Sequence, residues 1–333
     1  MAKDYTHLTR GERERIRLLR LEKYSIGFIA AALGRSKSTI WREVKSHLHH
    51  NGYEPERAHG HAQKLRKKPR RPCKMMLPEI ARFVKEGLNN DWSPEQIAGR
   101  MRLHFPRRPD LRISHQCIYD WLYRDKKSGG IWYQKLRINN HKRRKWKVKM
   151  PRRVNISRRK GIGQRPKSVE TRRFFGDWEA DTVEGKLNRG RLVTLVERKT
   201  LYTLITGMGT RHAHNFNAAA EKRIRQEPWL PLRTLTVDNG AEFARHEELE
   251  RTLGLRVYFA EPYSFWQRGV NENTNGLLRQ YLPQKTDFLS IPEEEIARVE
   301  KMLNNRPRKK LNYRTPSEVM AKIASRHGVS LGT

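Results

Sequence analysis

Residues 141–173 hold fifteen lysines or arginines and a single acid, Glu170. So cationic a stretch supplies neither the apolar surface nor the compensating charge that a core requires. The chain therefore cannot close into one continuous globule, and this stretch is expected to be an extended linker. Trp146, Val154 and Ile156 are interleaved as anchors, which favours ordering against a phosphate backbone over simple solvation. A shorter basic run at 64–77, broken by Pro69 and Pro72, marks a second linker. Three candidate domains remain, at 1–63, 78–140 and 174–333.

Lys and Arg number 71 against 35 Asp and Glu, a formal net charge of +36. An excess on that scale concerns partners rather than fold, and points to nucleic acid or an anionic membrane. No apolar run approaches the ~18 residues needed to span a bilayer. Lys3, Asp4 and Arg10 break any signal-peptide pattern after Met1. Nucleic acid is thus the expected partner, read below as double-stranded DNA, with no membrane. Cys73 and Cys117 lie far apart, give neither a disulfide framework nor a metal-spaced pair, and fit a reducing cytoplasm. His47, His49, His50, His59 and His61 cluster without a cysteine partner, so they are read as solvated surface side chains ahead of a zinc site.

Residues 9–46 read as three short helices. Thr9 or Arg10 opens the first, which carries Ile16, Leu19 and Leu21. Ser25 caps the second, with Ile26, Ile29, Ala30 and Leu33 on one side, and Gly34 allows a tight turn. Ser36 then caps a third that buries Ile40 and Val44. This is the helix-turn-helix order, and it offers Lys37, Ser38, Thr39 and Arg42 to a major groove. A plain three-helix bundle fits the pattern equally well; the net charge favours DNA. A second helical unit follows, with a helix over Pro78–Leu88, a strong start at Ser93-Pro94-Glu95-Gln96 and a cap at Ser114. It is read as a second DNA-binding module, with a helical spacer or dimerisation element as the competing reading.

From residue 174 the texture changes. Strands are expected near Asp177–Val183, Arg191–Glu197, Leu201–Met208, Leu235–Val237 and Leu255–Phe259. Helices are expected near His214–Gln226, at Ala241–Leu253, through Glu272 to Tyr281, and after Ile291 and Thr315. Three strands in succession followed by alternation imply a mixed sheet with helices on its faces. Three carboxylates stand out: Asp181 on one strand, Asp238 at the end of another, and Glu272 on a helix. Phosphoryl transfer on a polyanion uses two metal ions roughly 4 Å apart, and carboxylates supply the hard oxygens that Mg²⁺ favours. Each acid taken alone is more often a turn or cap residue, and Asp238-Asn239-Gly240 is itself a turn signal. Asp177, Glu179 and Asp181 share one strand face, so Asp177 competes with Asp181. Glu179 and Glu242 read as structural or surface acids. Trp178 and Trp266 read as packing residues, Trp266 also as a stacking platform for a frayed base.

Three segments then carry a resemblance. They are Gly176-Asp177-Trp178-Glu179-Ala180-Asp181, Thr236-Val237-Asp238-Asn239-Gly240-Ala241-Glu242-Phe243, and the run from Asn271-Glu272-Asn273 to Arg279-Gln280-Tyr281. Together with Ser38–Glu43, Trp92–Ile97 and Leu303–Arg308, they resemble the bacterial insertion-sequence transposases of the IS-thirty family, in order along nearly the whole chain. The resemblance implies an α + α/β multidomain chain, with helix-turn-helix modules ahead of a ribonuclease-H-like catalytic domain. It implies a DDE triad of Asp181, Asp238 and Glu272, the last two separated by the family's 33-residue gap. It assigns Arg279, seven positions after Glu272, to contact with the DNA end, and chooses Asp181 over Asp177 by motif. The family more often has His and Gly where this chain has Asp177 and Ala180. Also implied are two Mg²⁺ ions (Mn²⁺ substituting), terminal inverted repeats and target DNA as substrates, a homo-oligomer of at least two protomers on DNA, and a nucleoid location in the bacterial cytoplasm. A catalytically inert DNA-binding regulator and a nuclease acting on RNA–DNA hybrids are the rival readings.

Overall fold

The structure is a computed structural model that describes residues 6–50, 52–67, 73–137, 156–210, 212–262 and 264–326. It divides into two compact units, Met1–Pro72 and Cys73–Thr333. In the first, α1 (Arg10–Leu21), α2 (Ile26–Ala32) and α3 (Lys37–His47) start where Thr9, Ser25 and Ser36 accept backbone N–H bonds three residues on. Gly34 turns the chain between α2 and α3 with φ +61°. Ile16, Ile29, Ile40 and Val44 form the core. Two further features have weak sequence signals. A two-stranded ribbon, β1 (Leu48–His49) and β2 (Gly52–Tyr53), is too short to show periodicity. Beyond it α4 (Pro55–Lys67) packs on α1 through fully buried Ala58 and runs into the segment expected to be a linker.

The second unit opens with three helices, α5 (Pro78–Asn89), α6 (Pro94–His104) and α7 (His115–Lys127). Ile80, Val84, Leu88, Ile97, Met101, Ile118 and Leu122 pack between them. Ser93 and Gln96 make the expected capping box at α6. This bundle docks on the C-terminal part of the same unit. Arg100 pairs with Glu318, Lys309 Nζ reaches Glu95 Oε1 at 2.6 Å, and Arg306 Nε donates to Gln96 Oε1 at 3.0 Å. Gly99 faces the ring of Tyr313 so closely that a Cβ there would overlap it.

Trp146 and Val154 lie outside the described residues. From Ile156 onward the stretch expected to be an extended linker is packed. Ile156 and Val169 are buried, the second in α8 (Lys167–Glu170), and Gly161 bridges in parallel to Phe259. Its cations are met by acids from distant parts of the chain: Arg158 by Glu247, Lys160 by Glu250, while Arg165 uses the local Glu170. Charge counted along the segment carries no sign of those distant acids.

The sheet has the order β5-β4-β3-β6-β7. Its members are β3 (Asp177–Glu184), β4 (Arg191–Glu197), β5 (Thr203–Met208), β6 (Thr234–Val237) and β7 (Arg256–Phe259). The first three run antiparallel in succession, and β6 and β7 then add in parallel. This is the mixed sheet that the strand order in the sequence implies. The helices on its two faces are α9 (Ala213–Arg225), α10 (His246–Leu253), α11 (Gly269–Tyr281), α12 (Glu293–Asn304) and α13 (Pro316–Arg326). Alternation along β3 sends Trp178 and Ala180 into the core shared with α9 and α10, and Val183 into the core shared with α11 and α12. The single helix expected at 241–253 is interrupted: a 3-10 turn, Ala241–Phe243, buries Phe243 against Phe216 before α10 begins.

Candidate active site

Parallel pairing of β3 with β6 sets Glu179 opposite Thr236. Two residues beyond that pair lie Asp181, still on β3, and Asp238, one residue past the end of β6. Both carboxylates meet one guanidinium. Arg268 Nη1 lies 3.4 Å from Asp181 Oδ1, and Nη2 lies 3.1 Å from Asp238 Oδ2. Arg268 closes a 3-10 turn, Phe265–Arg268, immediately before α11, and its side chain is only 11% exposed. Burial disfavours its charge, but Asp181 and Asp238 outweigh that and raise its pKa. Burial likewise pushes Asp181 up to about 6; Arg268 pulls it back down and the negative charge of Asp238 adds to the rise.

The turn reading of Asp238 also holds, since its Oδ1 accepts from Gly240 N at 2.8 Å. One oxygen shapes the turn while the other faces the site. Asp181 is held by Thr182 N on Oδ1 and by Asn275 Nδ2 on Oδ2, each at 2.9 Å. Asn275 was missed by sequence reasoning; the signal was its place three residues after Glu272, on the same helical face. Glu272 itself is exposed in the first turn of α11. Among the described residues no group of three or more His, Cys, Asp or Glu is gathered closely enough to hold a metal ion. The structure thus brings Asp181 and Asp238 together and leaves Glu272 on the neighbouring helix without closing it onto them. Two carboxylates converging on one cation are nevertheless the donor chemistry a hard divalent ion requires.

The competing acids have other partners. Asp177, at the far end of β3 from the pair, is buried and accepts from Thr234 Oγ1 at 2.9 Å. Glu179 is buried, accepts from Asn271 N at 3.1 Å at the start of α11 and lies 3.5 Å from Arg198. Burial raises its pKa, which Arg198 opposes. Glu242 accepts from Thr182 Oγ1 at 2.9 Å. Trp178 is core and donates to Pro231 O. Trp266 is not a packing residue: it is 76% exposed, two positions before Arg268.

Arg279 lies two turns beyond Glu272, where its guanidinium donates to Glu184 O at 2.6 Å and sits 5.5 Å from the centre of the Phe288 ring. On α3, Lys37, Ser38 and Arg42 are exposed and Thr39 is half-buried. Trp41, half exposed with Lys45 Nζ 4.5 Å above its ring, belongs to the same outer surface and was not singled out from sequence. Of the clustered histidines, His47 and His61 face each other at 3.0 Å, and His59 contacts Gln63. They form no metal-holding group among the described residues. Nor is any described helix long and apolar enough to cross a membrane.

Residues 4–47 match the model of a helix-turn-helix domain family. The chain is 40% identical over 321 residues to the transposase InsI for insertion sequence element IS30A of Escherichia coli (strain K12), covering 94% of this chain and 83% of that protein. It is 36% identical over 329 residues to the transposase for insertion sequence element IS4351 of Bacteroides fragilis, covering 98% and 99%. For the transposase of element IS1086 of Cupriavidus metallidurans the identity is 36%, over 96% and 95% of the two chains. Among solved structures, the catalytic core domain of BIV integrase is similar at 20% identity and TM-score 0.35, over 46% of this chain and 98% of that one. The chain belongs to the IS30 family of insertion-sequence transposases.

Proposed function

We propose that this protein binds the terminal inverted repeats of its own insertion sequence and catalyses metal-dependent strand cleavage and strand transfer there. The observation that carries this reading is the convergence on one cation of Asp181, on β3, and Asp238, just past the end of the neighbouring parallel strand β6. A pair of acids held against a guanidinium inside a chain of net charge +36 is a cation site surrounded by a polyanion-attracting surface. Asp181, Asp238 and Glu272 are the proposed ligands of two Mg²⁺ ions, with Mn²⁺ able to substitute. Bound there, the metal supplies Lewis acidity at the phosphodiester and a nucleophilic oxygen at neutral pH.

The residues of the chain do the rest. Thr182 and Asn275 hold the Asp181 carboxylate in one orientation, and Gly240 holds that of Asp238. Glu272 projects from the first turn of the helix that carries Asn275, so closure of this turn onto the pair completes the triad. The helix-turn-helix surface of Lys37, Ser38, Thr39 and Arg42 selects the DNA. Arg279 and the exposed Trp266 lie on the segment that carries Glu272, and are the proposed contacts to the DNA end. Assembly of at least two protomers on DNA is part of the same proposal and rests on the family membership.

The test is Mg²⁺-dependent cleavage and joining of a duplex carrying the element end. Asp238→Asn is expected to abolish both reactions, whereas Asp177→Asn retains them. Cleavage undiminished in Asp238→Asn overturns the assignment. Tight, salt-sensitive binding of end DNA without cleavage in Mg²⁺ or Mn²⁺ identifies an inert regulator instead.

A further inference from the structure

Arg268 engages Oδ1 of Asp181 and Oδ2 of Asp238 at once, and its Nη1 also lies 3.4 Å from Ala180 O. No other ion pair reaches either carboxylate among the described residues. The two acids stand just past the paired stretch of β3 and β6, and hydrogen bonds from Thr182 N, Asn275 Nδ2 and Gly240 N hold their carboxylates in place. Two anions fixed side by side in a partly buried site repel strongly unless a cation lies between them. A divalent ion bridging these acids competes with the guanidinium for them.

We propose that Arg268 is a built-in counter-cation. It holds Asp181 and Asp238 together in the metal-free protein and competes with the divalent ion for them. On metal binding it swings away and offers its guanidinium to a phosphate of the substrate DNA. The exchange keeps each charged group paired: a side-chain cation leaves the two carboxylates as a divalent cation arrives, and DNA supplies the displaced guanidinium with a new anion. Metal and DNA therefore bind with positive coupling that runs through this one side chain. Arg268 acts here as a positioning residue. The turn Phe265–Arg268 precedes α11 directly, so Arg268 lies beside the start of the helix that carries Glu272.

The proposal rests on the metal-site reading above, and calorimetric titration of the full chain with Mn²⁺ separates the two. Without DNA, Arg268→Gln is expected to bind Mn²⁺ roughly tenfold more tightly than the parent chain. Arg268→Lys, which keeps a point charge but not the fork that spans both acids, is expected to fall between them. Adding end DNA is expected to tighten Mn²⁺ binding by the parent chain and to do so far less in Arg268→Gln. Unchanged or weaker Mn²⁺ affinity in a folded Arg268→Gln chain, or in Arg268→Lys should the glutamine variant not fold, overturns the proposal. Mn²⁺ affinity unaltered by Asp238→Asn instead overturns the metal site itself.

Discussion

Asn275 joins α11 to the sheet through both ends of its amide: Nδ2 donates to Asp181 Oδ2 at 2.9 Å, and Oδ1 accepts from Thr194 Oγ1 at 3.1 Å. The helix that carries Glu272 is thereby pinned to the strand that carries Asp181 and to the strand beside it. Removing a group that orients a metal ligand typically costs 10–100-fold in metal affinity or activity. Asn275→Ala is accordingly expected to slow cleavage of end DNA by about 10–100-fold while leaving the thermal midpoint nearly unchanged. Initial rates across a Mg²⁺ titration, beside a melting curve, check this; a full-rate variant shows that Asn275 has no orienting role.

Gly99 and Tyr313 set the docking of the first helical bundle of the second unit on its C-terminal part. Gly99→Ala forces a methyl group against the Tyr313 ring, an overpacking that costs about 1–3 kcal/mol. Tyr313→Ala in the same chain is expected to recover part of that loss. A double-mutant cycle in urea measures the coupling, and strictly additive losses show that the two side chains do not meet.

Glu12 sits in the capping box of α1. A hydrogen bond from Arg35 Nε at 2.7 Å holds its carboxyl at about 2, well below the ordinary 4.5; burial opposes this and the Thr9 N–H and hydroxyl reinforce it. The folded-state value is depressed, so the stabilisation is present above about 4.5 and is lost as pH falls toward 2. Both side chains are about one-fifth exposed, which screens the pair. Glu12→Gln is expected to reduce the stability of the N-terminal unit by about 1 kcal/mol at pH 7, and by progressively less below pH 4. Hydrogen-exchange protection of the α1 and α2 amides at pH 7 and pH 3 reads the difference.

The exposed face of α3 makes a separable claim. Arg42→Ala is expected to cost about 1–3 kcal/mol in binding end DNA and to relax preference at one base position, as for a base-reading side chain. Lys37→Ala is expected to weaken binding to all sequences alike and to lower the slope of log affinity against log salt by about 1, as for a phosphate contact. Fluorescence anisotropy over a salt series distinguishes them. Equal losses on cognate and scrambled duplexes for Arg42→Ala remove it from sequence reading.

The caps at Thr9, Ser25, Ser36, Ser93 and Ser114 are legible in the sequence because a cap joins residues only three apart, and each helix begins where they place it. The strands and their acids are legible for the same local reason. Which acids meet is a different matter. Asp181 lies on β3 and Asp238 one residue past β6, strands joined by long-range parallel pairing, and nothing local to either states that pairing. Arg268 read as one basic residue among 71 lysines and arginines, and only the folded chain sets it between the two carboxylates. The cationic stretch that governed the domain division misled from Ile156 onward for a related reason. Charge along a segment is a property of sequence, whereas neutralisation by Glu247 and Glu250 depends on where the fold brings distant acids. The sequence alone thus determined the local elements, the family motifs and the affinity for a polyanion. Tertiary structure alone decided which charges face each other, because electrostatic pairing depends on distance in space and not on separation along the chain.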